Sequence, residues 1–195
     1  MKASIIKQVQ TMTIDELRTR LVYYMNNDLR LLPRLVAIEV RARQTGDTRC
    51  RYDVLLIDEE GGETPVKFPD RGSRLLYVYT LLRPQGYQRR TAEADDCHAL
   101  RQLYSQLYFK EGADLLKTIA STGFDHFFSQ CVAQSRKALR EASPLAADFA
   151  IDRPQAHGGK VLIPFVARGG NVIIDASLRS NSHNSKYPYT YVSEW

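Results

Sequence analysis

The spacing of apolar residues changes twice along this chain, and that change restricts the fold more than any single motif. In Val36-Ala37-Ile38-Glu39-Val40-Arg41-Ala42-Arg43, the residues Val36, Ile38, Val40 and Ala42 share one face, with Glu39, Arg41 and Arg43 opposite. Cys50, Tyr52, Val54 and Leu56 align in the same way between Arg49 and Ile57. Successive side chains of an extended strand point to opposite faces, so both stretches predict half-buried strands. Glu59-Glu60-Gly61-Gly62-Glu63 then supplies a turn, and Val66-Lys67-Phe68 a short returning strand.

From Arg71 the spacing becomes helical. Ser73 can cap a helix carrying Leu75, Leu76, Tyr79 and Leu82, stopped by Pro84 and Gly86. Leu100, Leu103, Tyr104, Leu107 and Tyr108 form a clean stripe over 95–108, and Leu115, Leu116 and Ile119 a shorter one over 112–120. A long helix over 125–142 carries Phe127, Phe128, Cys131, Ser135, Ala138 and Leu139 on one side. After Ser143-Pro144 three apolar runs follow, 148–152, 160–166 and 171–175, separated by glycine-rich turns. Gly158-Gly159 and Gly169-Gly170 offer the positive φ of tight reversals, so two linked hairpins are predicted. The fold class is α+β: N-terminal antiparallel strands, a central helical block and C-terminal β-hairpins.

At the other end, Thr13-Ile14-Asp15-Glu16 reads as a capping box opening a helix over 13–25, with Leu17, Leu21, Tyr24 and Met25 on one side. A chain of 195 residues with 44% hydrophobic content can bury a core without staples, and a single domain over 1–177 is expected, followed by a Ser/Asn/Tyr-rich tail over 178–195. Cys50, Cys97 and Cys131 are odd in number and widely spaced, which argues against a disulfide framework and a zinc ribbon. No apolar run approaches a membrane span. A cytoplasmic protein is expected, with no membrane contact.

The net charge of +5 is unevenly placed. Residues 1–70 carry 11 basic and 11 acidic side chains, 71–142 carry 11 and 7, and 143–195 carry 5 and 4. The excess sits in the central segment, where it can steer a polyanion toward one face.

The case for an enzyme is thin. Asp95-Asp96-Cys97-His98 is the main cluster of ionisable types, but it falls where a helix should begin, and carboxylates there satisfy free N–H groups and complement the helix dipole. His126, His157 and His183 are scattered, and neither HxxxH, GxSxG nor a phosphate-cradling glycine loop is present. No catalytic residue, metal or cofactor is expected. The helix over 125–142 says more. Opposite its apolar side lie Ser129, Gln130, Ala133, Gln134, Lys137 and Glu141, flanked by Arg136 and Arg140. Gln amides can read adenine in the major groove, while Arg and Lys hold phosphates or guanine. The plainer alternative is a solvated face whose cations complement the C-terminal dipole.

Three stretches carry a resemblance. They are Ser73-Arg74-Leu75-Leu76 leading to Leu82-Arg83-Pro84-Gln85-Gly86, then Ser135-Arg136-Lys137-Ala138-Leu139, then Phe165-Val166-Ala167-Arg168-Gly169-Gly170-Asn171-Val172-Ile173. Over about residues 50–175 the chain resembles the winged-helix effector domains of two-component response regulators. The resemblance implies a non-catalytic, double-stranded DNA-binding regulator, with 125–142 as the recognition helix and Arg168 on a hairpin wing near a minor groove. Residues 144–159 stand as an insertion before that wing, and Asn171 takes the place of the family's aromatic. The alternative is a protein partner or homo-oligomer, an assembly role served by the tail, where Tyr187, Tyr189 and Tyr191 alternate with Pro188, Thr190 and Val192.

Overall fold

The structure, a computed structural model, describes residues 13–15, 18, 33–43, 50–88, 93–108, 113–152 and 159–179. The chain divides into two compact units, Met1–Arg34 and Leu35–Trp195. In the first, Ile14, Asp15 and Arg18 are helical and the Ile14 side chain is exposed. The rest of the helix expected over 13–25 lies outside the described residues, as does the tail beyond residue 179.

Among the described residues the second unit is built on a four-stranded sheet in the order β3 (Glu63–Pro65), β2 (Tyr52–Asp58), β1 (Leu35–Ala42), β6 (Asn171–Ile174). Strands β1 (Leu35–Ala42) and β2 (Tyr52–Asp58) are antiparallel, with Ile38 opposite Leu56 and Val40 opposite Val54. The alternation in the sequence therefore sets the register: these four side chains are buried on one face, while Glu39 and Arg41 take the other. There Arg41 bridges Glu39 at 2.6 Å and Glu63 at 2.8 Å, and holds the Glu63 carboxyl below its ordinary range. The returning strand β3 is Glu63–Pro65, just before the expected Val66-Lys67-Phe68, although the Val66 amide still donates to the Val54 carbonyl.

Helix α1 (Arg71–Leu81) is the centre of the core. Leu75, Leu76, Tyr77, Val78, Tyr79, Thr80 and Leu81 are all buried, which means neighbours surround the helix. Its cap is Asp70 and not Ser73: the Asp70 carboxylate accepts from the Ser73 amide at 2.7 Å, and the Ser73 hydroxyl donates back to the Asp70 carbonyl. Buried hydroxyls find nearby acceptors, Thr80 on the Leu76 carbonyl and Tyr77 on the Phe149 carbonyl. Helices α2 (Glu93–Tyr108), α3 (Ala113–Thr122) and α4 (Phe124–Ala142) complete the block, with α1 packed on α2 and α4. Leu100, Leu103, Tyr104, Leu107 and Tyr108 of the α2 stripe are buried, as the helical spacing requires.

The C-terminal region is where the expectation fails. Among the described residues the pair of hairpins does not form. Residues Ala146–Phe149 make a 3₁₀ turn, and the short strand β5 (Lys160–Val161) pairs with β4 (Tyr87–Gln88), far away in sequence. Pro164–Ala167 is a one-turn helix, α5, and β6 (Asn171–Ile174) lies parallel to β1. The cause is local. Pro164 cannot donate to a ladder but suits the first helical position. Gly169, at φ +81°, donates to the Val166 carbonyl, and Gly170 to the Phe165 carbonyl, the paired bonds of a Schellman helix ending. The Gly-Gly pair thus closes a helix where a hairpin turn was expected. After β6 the chain forms a further short helix, α6 (Ala176–Arg179), in which Leu178 is buried.

Candidate nucleic-acid interface

Helices α3 and α4 are joined by one residue, Gly123, whose φ of 80° and ψ of 144° turn the chain sharply. The inner side of α4 buries Phe124, Phe127, Phe128, Cys131, Ser135, Ala138 and Leu139. Close approach to α1 depends on Gly72, where an added Cβ would lie 3.0 Å from both the Cys131 sulfur and the Phe127 ring. Burial pushes the Cys131 thiol up to about 12, so it acts as a small apolar side chain. The Ser135 hydroxyl donates to the Val132 carbonyl within the helix.

Fixing that inner face fixes the outer one. Ser129, Gln130, Ala133, Lys137, Arg140 and Glu141 are exposed, together with Asp125 and His126 toward the helix start, and Gln134 is half-buried. Their spacing of three and four residues places Ser129, Gln130, Ala133, Lys137 and Arg140 along one side of the cylinder. Lys137 pairs with Glu141 at 3.8 Å, one turn on. Arg140 is exposed and makes no ion pair among the described residues.

Two of the expected site residues are engaged elsewhere. Arg136 is half-buried, donates from Nε to the Ile151 carbonyl at 2.9 Å, and lies 3.7 Å from the Asp152 carboxylate. It fastens the 143–152 connection onto α4, because a guanidinium one face away from the solvent stripe meets the returning chain first. Arg168 is the C-cap residue of α5 and not the tip of a wing, and pairs with Asp148 of the 3₁₀ turn at 2.6 Å. The same turn is held by stacking of Phe149 on Phe165, with ring centroids 4.1 Å apart.

The ionisable cluster at 95–98 begins two residues inside α2, which starts at Glu93, and His98 is exposed there. His157 and His183 lie outside the described residues, as do Tyr187, Tyr189 and Tyr191. Among the described residues no group of three or more side chains could hold a metal ion, and no helix is long and apolar enough to cross a membrane. None of the three cysteines forms a disulfide, and Cys50 and Cys131 are buried.

Two polar arrangements lie outside the expectations from sequence. One is a chain from Asp175 through Ser177 to Tyr52. The Asp175 carboxylate accepts from the Ser177 amide at 2.9 Å and the Ser177 hydroxyl at 2.5 Å, and that hydroxyl lies 2.7 Å from the Tyr52 hydroxyl. These bonds hold the Asp175 carboxyl below its ordinary range. The arrangement caps α6 and ties it to the sheet, and the signal for it was Asp-x-Ser ahead of a helical turn. The other is a pair of arginines, Arg71 and Arg74, one turn apart at the start of α1. Compared with known proteins, the chain matches no family model, no curated protein and no solved structure.

Proposed function

We propose that this protein is a non-catalytic DNA-binding domain that presents the outer side of α4 to the major groove of a duplex. One observation carries the reading: Ser129, Gln130, Ala133, Lys137 and Arg140 form an open polar stripe on a helix whose other side is locked into the core. An amide between small residues, with cations toward one end, suits base-edge contact flanked by phosphate contact. The α3–Gly123–α4 corner supports it, because a sharp turn before a reading helix leaves that helix free to enter a groove. Arg136 drops out of the reading set, since its donors serve Ile151 and Asp152. Lys137 and Arg168 remain available. Their partners, Glu141 and Asp148, form exposed pairs that stabilise by only a few tenths of a kcal/mol to about 1 kcal/mol, which phosphate oxygens can replace.

Three phosphate contacts, from Lys137, Arg140 and Arg168, give a salt dependence of about −2 to −3 in log affinity against log salt. A fluorescence anisotropy titration of a labelled duplex at several salt concentrations tests this. Lys137→Ala with Arg140→Ala should weaken binding roughly tenfold and flatten the slope by about 2. Wild-type affinity and slope in that variant would remove α4 as the DNA-contacting element.

The protein-binding reading has an observation of its own. Val36 and Ile173, on the adjacent strands β1 and β6, are 41% and 42% exposed. A concentration-dependent change in mass that Ile173→Asp abolishes, with no DNA retained, would favour it.

A further inference from the structure

Helix α1 opens with two arginines one turn apart that have no acidic partner among the described residues. Arg71 is exposed, with Nη1 3.4 Å from the Tyr104 hydroxyl and its guanidinium carbon 5.7 Å from the centre of the Tyr108 ring. Arg74 is half-buried; it donates to the Tyr52 carbonyl at 3.4 Å and lies 5.7 Å from the centre of the Phe68 ring. The Tyr108 hydroxyl, which donates to the Arg71 carbonyl, feels the charge of both guanidinium groups. Among the described residues Arg41 has Glu39 and Glu63, Arg43 has Asp53, Arg136 has Asp152 and Arg168 has Asp148, whereas Arg83 lies 3.4 Å from the centre of the Tyr79 ring and donates to the Tyr79 carbonyl.

The acids nearest Arg71 do not neutralise it. Asp114 of α3 acts on it electrostatically without forming an ion pair, and Asp70 spends one carboxylate oxygen on the Ser73 amide. That cap also occupies the pole of α1, so the attraction here comes from the side chains. Guanidinium groups laid against aromatic rings keep their planar forks oriented, and less rotational freedom is lost when they bind a ligand. Positions three apart on a helix are neighbours on its surface, so both forks rise from one patch, where a tetrahedral oxyanion can accept charge-assisted bonds from each.

We propose that Arg71 and Arg74 bind a phosphate group, either free or within a phosphodiester backbone. The site is separate from the outer side of α4. Gly72, between the two arginines, faces Cys131 and Phe127 on the buried side of α4, whereas Arg71 faces Tyr104 and Tyr108 of α2. Its success or failure is therefore independent of the DNA reading.

The test is an NMR titration of the isotope-labelled full chain with sodium phosphate, against sodium chloride at matched ionic strength. Saturable shifts of the Arg71 and Arg74 side-chain N–H signals and the Tyr104 and Tyr108 rings are expected with phosphate and not with chloride. A midpoint in the millimolar range corresponds to a handful of such bonds in water. Arg71→Gln and, separately, Arg74→Gln should each raise that midpoint at least several-fold, whereas Lys137→Ala with Arg140→Ala should leave it unchanged. Arg71 is exposed at the first helical position, so its variant retains the fold even if the Arg74 variant does not. A second titration with duplex DNA separates the sources. Shifts at the same four residues that phosphate displaces identify the phosphodiester, and shifts with phosphate alone identify a small phosphate ligand. Equal responses to phosphate and chloride, or a wild-type midpoint in Arg71→Gln, would overturn the proposal.

Discussion

Arg136 shows how a side chain's neighbours decide its role. Its place in the sequence, beside Lys137 and one turn before Arg140, suggested a phosphate contact, yet its guanidinium serves the Ile151 carbonyl and Asp152. Residue types on a helix face can be read from spacing, but which of them the returning chain will cover cannot. Arg136→Ala should therefore act on stability. A charged donor to a buried-side carbonyl contributes about 1–3 kcal/mol, and urea unfolding should show that loss while DNA affinity holds at its wild-type value. Asp175 gives a second residue-scale prediction. Its carboxyl is held below the ordinary range by the Ser177 hydroxyl and amide, so its stabilisation is complete above the unfolded-state value and disappears as pH falls through the lower folded-state value. The stability difference between wild type and Asp175→Asn should be flat above about pH 5 and shrink below about pH 4. A difference that persists unchanged at low pH would mean the bonds to Ser177 do not depend on ionisation.

At the scale of elements, long periodic segments were legible and short apolar ones were not. The helix expected over 125–142 is Phe124–Ala142, and that over 95–108 is Glu93–Tyr108. In both, four or more turns repeat the same stripe, leaving few alternatives. The run 160–166 is too short to show a period, and apolarity alone does not separate a strand from a helical turn. The cue that separates them was present: proline at the start and glycine past the end is the asymmetry of a helix. The candidate site was legible in part, since Ser129, Gln130, Ala133, Lys137 and Arg140 follow from the α4 stripe, while the hairpin wing at Arg168 was inferred from a glycine pair that ends α5 instead. The joint before α4 yields its own prediction. Gly123 sits in a backbone region closed to other residues, with nothing within 4 Å of an added Cβ, so strain alone opposes substitution. Gly123→Ala should cost about 1–3 kcal/mol by chemical denaturation. Because the joint aims α4, DNA affinity should fall with it even where the protein remains folded.

For the whole molecule, the decisive contacts are distant in sequence. Strand β6 lies parallel to β1, with Ile38 beside Val172 and Val40 beside Ile174, so the chain must traverse the entire helical block before the sheet closes. The Asp175 amide extends that pairing to the Val40 carbonyl, and β4 meets β5 across the same block. Nothing local encodes such pairings: the parallel β1–β6 pair needs a long crossover, and the antiparallel β4–β5 pair is joined by no tight turn. The result is a core centred on α1, with α4 held on one side of it. The free side of α4 is where we propose that duplex DNA docks. Backbone amide shifts of the full chain, followed as duplex is added, test it most directly. The largest changes should fall at Ser129, Gln130, Ala133, Lys137 and Arg140, and vanish in high salt. Changes centred on Val36 and Ile173 instead, or none along α4 at saturating DNA, would contradict it.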